Sequence, residues 1–286
     1  MKPDSNLAVR VLAVIAPVVM WTPPALFGAE GDGFKADFYA RAYVESGYMS
    51  SGGLLTYTEP VAEQYALGRF QLGRFGRITT DAWLCSALND QTDHIHRRAF
   101  YILEETLLYG YDFDFSESVK LTTDAGVLWD RLWGYEEPQD MPVAWYAYQY
   151  LRNPYVTPYW NGLGCFYPSE STRIRFGLER GFVLFKSLTL TPFVDTTFGD
   201  KNKFAKNFGA EAEGSFKDGA FMGGAFMTVT FGTSLEWRFL DQWFVWGRYR
   251  QYMVLNKQAR DSLSSSDSPT AETCFPIFGL GLGARF

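Results

Sequence analysis

The feature that most constrains this chain is a strict alternation of two kinds of residue, seen most clearly in the stretch FPIFGLGLGARF at 275–286. Phe286, Ala284, Leu282, Leu280, Phe278 and Pro276 form one apolar set, and Arg285, Gly283, Gly281, Gly279, Ile277 and Phe275 form the other. A period of two is that of a β-strand with chemically different faces. The glycines do not read as a phosphate-cradling loop, because no helix follows them to supply the N-terminus that such a loop needs. Soluble termini tend to be polar and frayed, so an apolar face kept up through this stretch raises the question of which solvent it meets.

The same alternation recurs along the chain. In 38–45, Phe38, Ala40, Ala42 and Val44 oppose Tyr39, Arg41, Tyr43 and Glu45. Segments 119–130, 188–198 and 227–239 repeat the pattern, for example with Val229, Phe231, Leu235 and Trp237 opposing Thr228, Thr230, Ser234 and Glu236. Each is roughly ten residues or longer, as a tilted membrane-crossing strand requires. Aromatic residues make up 18% of the chain while mean hydropathy is only −0.14, a combination that suits strands facing lipid on one side and a polar lumen on the other. A secreted β-sandwich or a soluble barrel also alternates and is the competing fold.

The connections alternate in length. Short ones are expected at 75–77, 114–117, 151–154, 184–187 and 240–242, and longer polar ones near 50–62, 89–97, 134–142, 167–171, 199–221 and 257–273, the last including the serine-rich run 262–268. Short turns on one side and long loops on the other predict an all-β, antiparallel up-and-down transmembrane barrel of about twelve strands. The predicted strands are 35–49, 63–75, 77–88, 98–113, 118–133, 143–152, 154–166, 172–184, 187–199, 222–239, 242–256 and 274–286.

Upstream, Lys2 and Arg10 precede the apolar run 11–21, which is too short to span a bilayer as a helix and contains Pro17. This predicts a signal peptide at 1–29 and a barrel domain at 30–286. The three cysteines Cys85, Cys165 and Cys274 cannot all pair with one another and are not spaced for a metal. A net charge of −6 argues against nucleic acid as a partner. His94 and His96, with Asp90 and Asp93, lack a third ligand or a nucleophile at useful spacing, so no cofactor, no metal and no catalysis are expected.

The ending FPIFGLGLGARF resembles the C-terminal β-signal of Gram-negative outer-membrane barrels. NPYVTPYW and RIRFGLERGFVLFKSLTLTPFVDTTFGD resemble paired strands of medium-sized members of that class. The resemblance implies an outer-membrane location and contact with lipid and lipopolysaccharide. It also implies biogenesis through periplasmic chaperones and the barrel-assembly machinery, with Phe278, Leu280, Leu282 and Phe286 as the assembly signal.

If the apolar faces look outward, the charged residues of the other face line the lumen. The basic ones are Arg41, Arg69, Arg77, Lys120, Arg173, Arg175, Arg238, Arg248, Arg250 and Arg285. The acidic ones are Asp37, Glu45, Asp81, Glu104, Asp124, Asp130, Glu179, Asp195 and Glu236. Candidate constriction residues are Arg41, Arg173, Arg175, Arg238, Arg248, Arg250, Asp81, Asp124, Asp195 and Glu236. Late-strand arginines facing early-strand carboxylates would set a transverse field on passing ions, whereas a purely structural network would pair them. Glu105 and Arg180 fall on the apolar face and require a bulge, a shifted boundary or a place near an interface. The function expected is a narrow, porin-like passage for small polar or charged solutes. The alternatives are a non-conducting barrel acting through its loops and, last, a hydrolase at the rim.

Overall fold

The computed structural model describes residues 35–49, 55–57, 60–88, 101–133, 139–140, 144–165, 171–200, 225–264 and 273–286. Segment 1–29, His94, His96 and the greater part of the expected long loops lie outside these residues.

Twelve antiparallel strands form a closed ring. They are β1 (Lys35–Glu45), β2 (Val61–Gln71), β3 (Arg77–Ala87), β4 (Tyr101–Ser116), β5 (Val119–Trp133), β6 (Ala144–Arg152), β7 (Thr157–Cys165), β8 (Ser171–Glu179, continued by Phe182–Phe185), β9 (Leu188–Gly199), β10 (Ala225–Arg238), β11 (Trp243–Val254) and β12 (Cys274–Arg285). Each strand pairs with the next, and β12 closes on β1 through seven residue pairs from Tyr39–Arg285 to Glu45–Gly279. Closure removes every sheet edge, which is what lets a sheet lie in a medium that offers no hydrogen bonds.

The strand count matches the sequence expectation, and the differences are local. β1 ends at Glu45 and not at 49. Tyr48–Met49 pairs instead with Leu55–Tyr57 as a separate small hairpin. β2 begins at Val61, inside the expected loop 50–62, because its ladder with β1 runs on to Glu45. The first short turn lies earlier than 75–77: Gly73–Phe75 forms a 3-10 turn closed by Gly76 at φ 88°, a conformation that glycine adopts without strain. β4 runs on to Ser116, so its turn follows the expected 114–117 closely but starts later. β7 begins at Thr157 and not at 154, because the Asn153 side chain accepts bonds from the backbone N–H of Tyr155 (2.9 Å) and Val156 (3.0 Å) and holds those residues in a turn. Part of the expected loop 257–273 is an α-helix, Lys257–Ser264, capped by Asn256 Oδ1 on the Ala259 N–H at 3.1 Å and carrying a Lys257–Asp261 pair one turn apart at 2.5 Å.

The faces sort as the alternation predicts. In β12, Phe278 and Leu280 are well exposed on the outside, Leu282 is half-covered and Phe286 is exposed, while Gly279, Gly281 and Gly283 look inward. All five short turns carry or adjoin an exposed aromatic, Phe75, Phe115, Tyr155, Phe185 and Phe239, between 42% and 76% exposed. This is one aromatic girdle at one end of the barrel.

Candidate functional site: the lumen and its mouth

Inside the barrel, large side chains lean over inward glycines of the strand between them. Gly279 lies opposite both Glu45 on β1 and Arg248 on β11, and the two meet above it. Glu45 is fully buried. Its Oε1 accepts from Arg248 Nη2 at 2.5 Å and from Arg248 Nε at 3.1 Å, and its Oε2 accepts from Arg250. The same device recurs twice. Arg77 on β3 passes Gly110 to reach Asp124 on β5, with Nε to Oδ1 at 3.0 Å, and also holds Asp112 at 2.5 Å. Tyr159 on β7 passes Gly177 to donate to Asp195 on β9 at 3.2 Å. At these glycines a Cβ would lie 3.0, 2.2 and 2.2 Å from Glu45, Asp124 and Tyr159 respectively, so the contacts depend on the missing side chain.

The sequence-derived candidates fall as follows. Arg248 and Arg250 converge on Glu45, a carboxylate outside the short list of constriction residues. Asp124 is held by Arg77 and by Thr79 Oγ1 at 3.2 Å. Arg175 approaches Asp195 at 3.7 Å, and Arg238 binds Glu236 at 3.0 Å. Arg173 is buried beside Asn161 at 3.5 Å. Asp81 lines a lumen cavity described below, and Arg41 lies in an aromatic cage.

The expected opposition of a basic wall and an acidic wall is not built. Arg175 and Arg238 pair with late-strand acids, and Arg77 pairs with early-strand ones. Glu45 and Arg248 are one strand apart around the ring, with β12 between them. Local pairing wins because an unpaired charge in a narrow lumen is costly to desolvate. Cys85 and Cys274 are free thiols, and the Cys165 side chain is outside the described set.

Sequence reasoning missed Glu63, which is buried and accepts from Tyr43 Oη and from Trp83 Nε1 at 2.8 Å. The signal was present in the alternation Glu63, Tyr65, Leu67, Arg69, but the weakly apolar opposite face (Ala62, Gln64, Ala66, Gly68) obscured it.

The two anomalous residues have different explanations. Glu105 keeps its register on the outer face, opposite Ala82 and Trp129, and accepts from the Trp129 indole at 2.7 Å, so neither a bulge nor a boundary shift is involved. Arg180 lies one residue past the Glu179–Thr157 pair, level with the Asn153–Val156 turn at the barrel mouth, and stacks on Phe182 at 4.9 Å. It belongs to the interface and not to mid-membrane.

Two cavities follow one another inward from the short-turn end. The outer, of about 890 Å³, is bounded by Tyr39, Arg41 and Arg285 on the β1–β12 side and by Tyr150, Arg152, Tyr159, Glu179 and Arg180 on the β6–β8 side. The inner, of about 180 Å³, brings Tyr65 and Arg69 of β2 and Asp81 of β3 together with Tyr146, Tyr148 and Asn161 of β6 and β7. Tyr150 and Tyr159 wall both cavities, so the two adjoin. Residues from opposite sides of the ring share a cavity, as expected for a barrel between the roughly eight strands that side chains just fill and the 16–18 of wide porins.

An apolar exterior, an aromatic girdle, a polar interior and a closed ring of twelve antiparallel strands decide the architecture. The chain folds as an outer-membrane-type β-barrel. No protein-family model matches it, and no curated protein does. Solved barrels resemble it weakly. An outer membrane channel from Pseudomonas putida F1 is 10% identical with a TM-score of 0.48, over 92% of this chain and 99% of that one. The KdgM porin is 9% identical with a TM-score of 0.46, over 87% and 99%. The translocator domain of the autotransporter NalP from Neisseria meningitidis is 12% identical with a TM-score of 0.41, over 98% and 94%.

Proposed function

We propose that the barrel is a narrow channel in the outer membrane of a Gram-negative-type bacterium, passing small polar or charged solutes by diffusion. One observation carries this reading: the adjoining cavities, lined by charged and tyrosine side chains, that follow one another from the short-turn mouth to the tyrosine-lined waist. A second supports it. The Nε–H groups of Arg41, Arg69, Arg173, Arg175 and Arg250 are buried and find no acceptor among the described residues. Each lies on the lumen face, where water or a polar solute is the available acceptor. A lumen sealed by the described residues alone would leave such donors unsatisfied, at roughly 1–3 kcal/mol each. In this orientation the short turns are periplasmic, and insertion runs through the barrel-assembly machinery, which reads the outward Phe278, Leu280, Leu282 and Phe286.

The dense bonding of Glu45 and of Arg77 favours a second reading, a lumen closed by ion pairs in a barrel that acts through its loops. Single-channel recording of the purified, folded barrel in planar bilayers separates the two. Discrete conductance steps are expected. A folded barrel that stays silent across a range of voltages overturns the channel.

A further inference from the structure

We infer that the outer cavity is a binding site for a small organic polyanion, a molecule carrying two or more carboxylate or phosphate groups. The biological use of such a site rests on the channel reading, but the site stands on its own geometry. Four arginines, Arg41, Arg152, Arg180 and Arg285, surround the cavity against a single carboxylate, Glu179. The whole chain carries a net charge of −6, so this concentration of cations is local and not a reflection of composition.

None of the four is in an ion pair among the described residues, in contrast to Arg77, Arg248 and Arg250 elsewhere in the lumen. Each rests on an aromatic ring instead. Arg41 lies 4.8 Å from Tyr43, 5.5 Å from Tyr65 and 4.7 Å from Trp246; Arg285 lies 5.5 Å from Tyr39, Arg152 6.0 Å from Tyr150 and Arg180 4.9 Å from Phe182. A ring holds a guanidinium by its face and leaves the N–H edge open, and that edge is the part that grips an oxyanion with two parallel bonds. The buried Nε–H of Arg41, without an acceptor among the described residues, is such an edge at the cavity floor.

The cations come from both sides of the ring, two from β1 and β12 and two from the ends of β6 and β8, so one anionic group cannot satisfy all four at once. A ligand with charges at two ends can. The volume of about 890 Å³ is that of an organic-molecule site and far exceeds an inorganic ion. Tyr39, Tyr150 and Tyr159 offer ring faces and hydroxyls to a carbon skeleton.

The test is direct binding, with the barrel folded in a non-ionic detergent and its fold checked by heat-modifiable migration. Tricarballylate and fructose 1,6-bisphosphate are titrated by calorimetry at low and high salt. Saturable binding is expected for at least one of them, weakening with salt. The stronger of the two identifies carboxylate or phosphate as the preferred group. The double variant Arg41→Gln, Arg285→Gln should lose at least tenfold in affinity while still folded, and Arg238→Gln, outside the cavity, should not. No saturable binding by the folded wild type, or equal binding by the folded double variant, overturns the inference. A barrel that binds but passes no current removes only the channel, and one that conducts but does not bind removes only the polyanion site.

Discussion

Arg248 on β11 reaches Glu45 on β1 at 2.5 Å, passing over Gly279 of the strand between them. Both Glu45 oxygens are engaged by arginines and the carboxylate is shut off from solvent. Removing one member of such a buried set costs more than removing all of it. Glu45→Gln should therefore lower stability by about 3–5 kcal/mol, read as the urea midpoint of the barrel in vesicles. The triple change Glu45→Leu, Arg248→Met, Arg250→Met should recover a large part of that loss. A wild-type midpoint for Glu45→Gln would mean that water screens this site.

The glycines beneath the bridged pairs should resist substitution. At Gly110 a Cβ would lie 2.2 Å from Asp124 Oδ1 and 2.6 Å from the Thr123 carbonyl oxygen. Gly110→Val should sharply reduce the heat-modifiable folded species. At Gly247 the nearest heavy atom to a Cβ is 3.9 Å away, so Gly247→Ala should fold at wild-type yield. Equal yields for the two variants would show that the bridged pairs do not shape the barrel.

On the lipid face, Trp129 supplies a donor to Glu105. Trp129→Phe keeps an aromatic ring but removes that donor, and should destabilise the barrel by about 1–3 kcal/mol. The double change Trp129→Phe, Glu105→Leu should restore stability. Equilibrium unfolding in vesicles checks both, and a double variant no better than the single would place the Glu105 carboxylate in water.

The waist should control conductance. Tyr65 on β2 and Tyr146 on β6 line one cavity from strands four apart in the ring. Shortening both to alanine should raise single-channel conductance with the barrel still folded. An unchanged conductance would put the limiting constriction at the other end, nearer Glu45 and Arg248.

Orientation is open to a labelling experiment. A tag inserted after Ser264 should be labelled on intact cells, and one beside Asp241, in the short turn between β10 and β11, should not. The reverse result would invert the barrel and turn the arginine-lined mouth toward the outside.

The sequence revealed the ring more readily than its contents. Period-two alternation placed twelve strands, usually within a few residues, because one face of each strand meets lipid and cannot tolerate mixing. It failed where other forces set the ends. Asn153 holds its own turn through side-chain bonds, and Lys257–Ser264 is helical in a polar segment that has no β-alternation to read. Which charges meet was hidden, since pairing depends on register and closure. Nothing in the neighbourhood of Glu45 announces Arg248, two hundred residues away, and the glycine that lets them meet belongs to a third strand. Glu105 looked like an error of register because its remedy, Trp129, lies on the adjoining strand. The mouth arginines were scattered through the sequence, and only closure gathers them.

Gly279, Gly281 and Gly283 leave the middle of the inner face of β12 without side chains, and β1 and β11 make contact across it through Glu45 with Arg248 and through Tyr43 with Trp246 at 4.9 Å. The seam of the barrel therefore works as a checkpoint on its own completion. A sheet in which β12 has docked on β11 but not on β1 carries Arg248 and Arg250 without their counter-ion, and Glu45 without its two cations. Neutralising Glu45 and sealing the wall are a single event, so a half-zipped barrel is marked by its own electrostatics as unfinished.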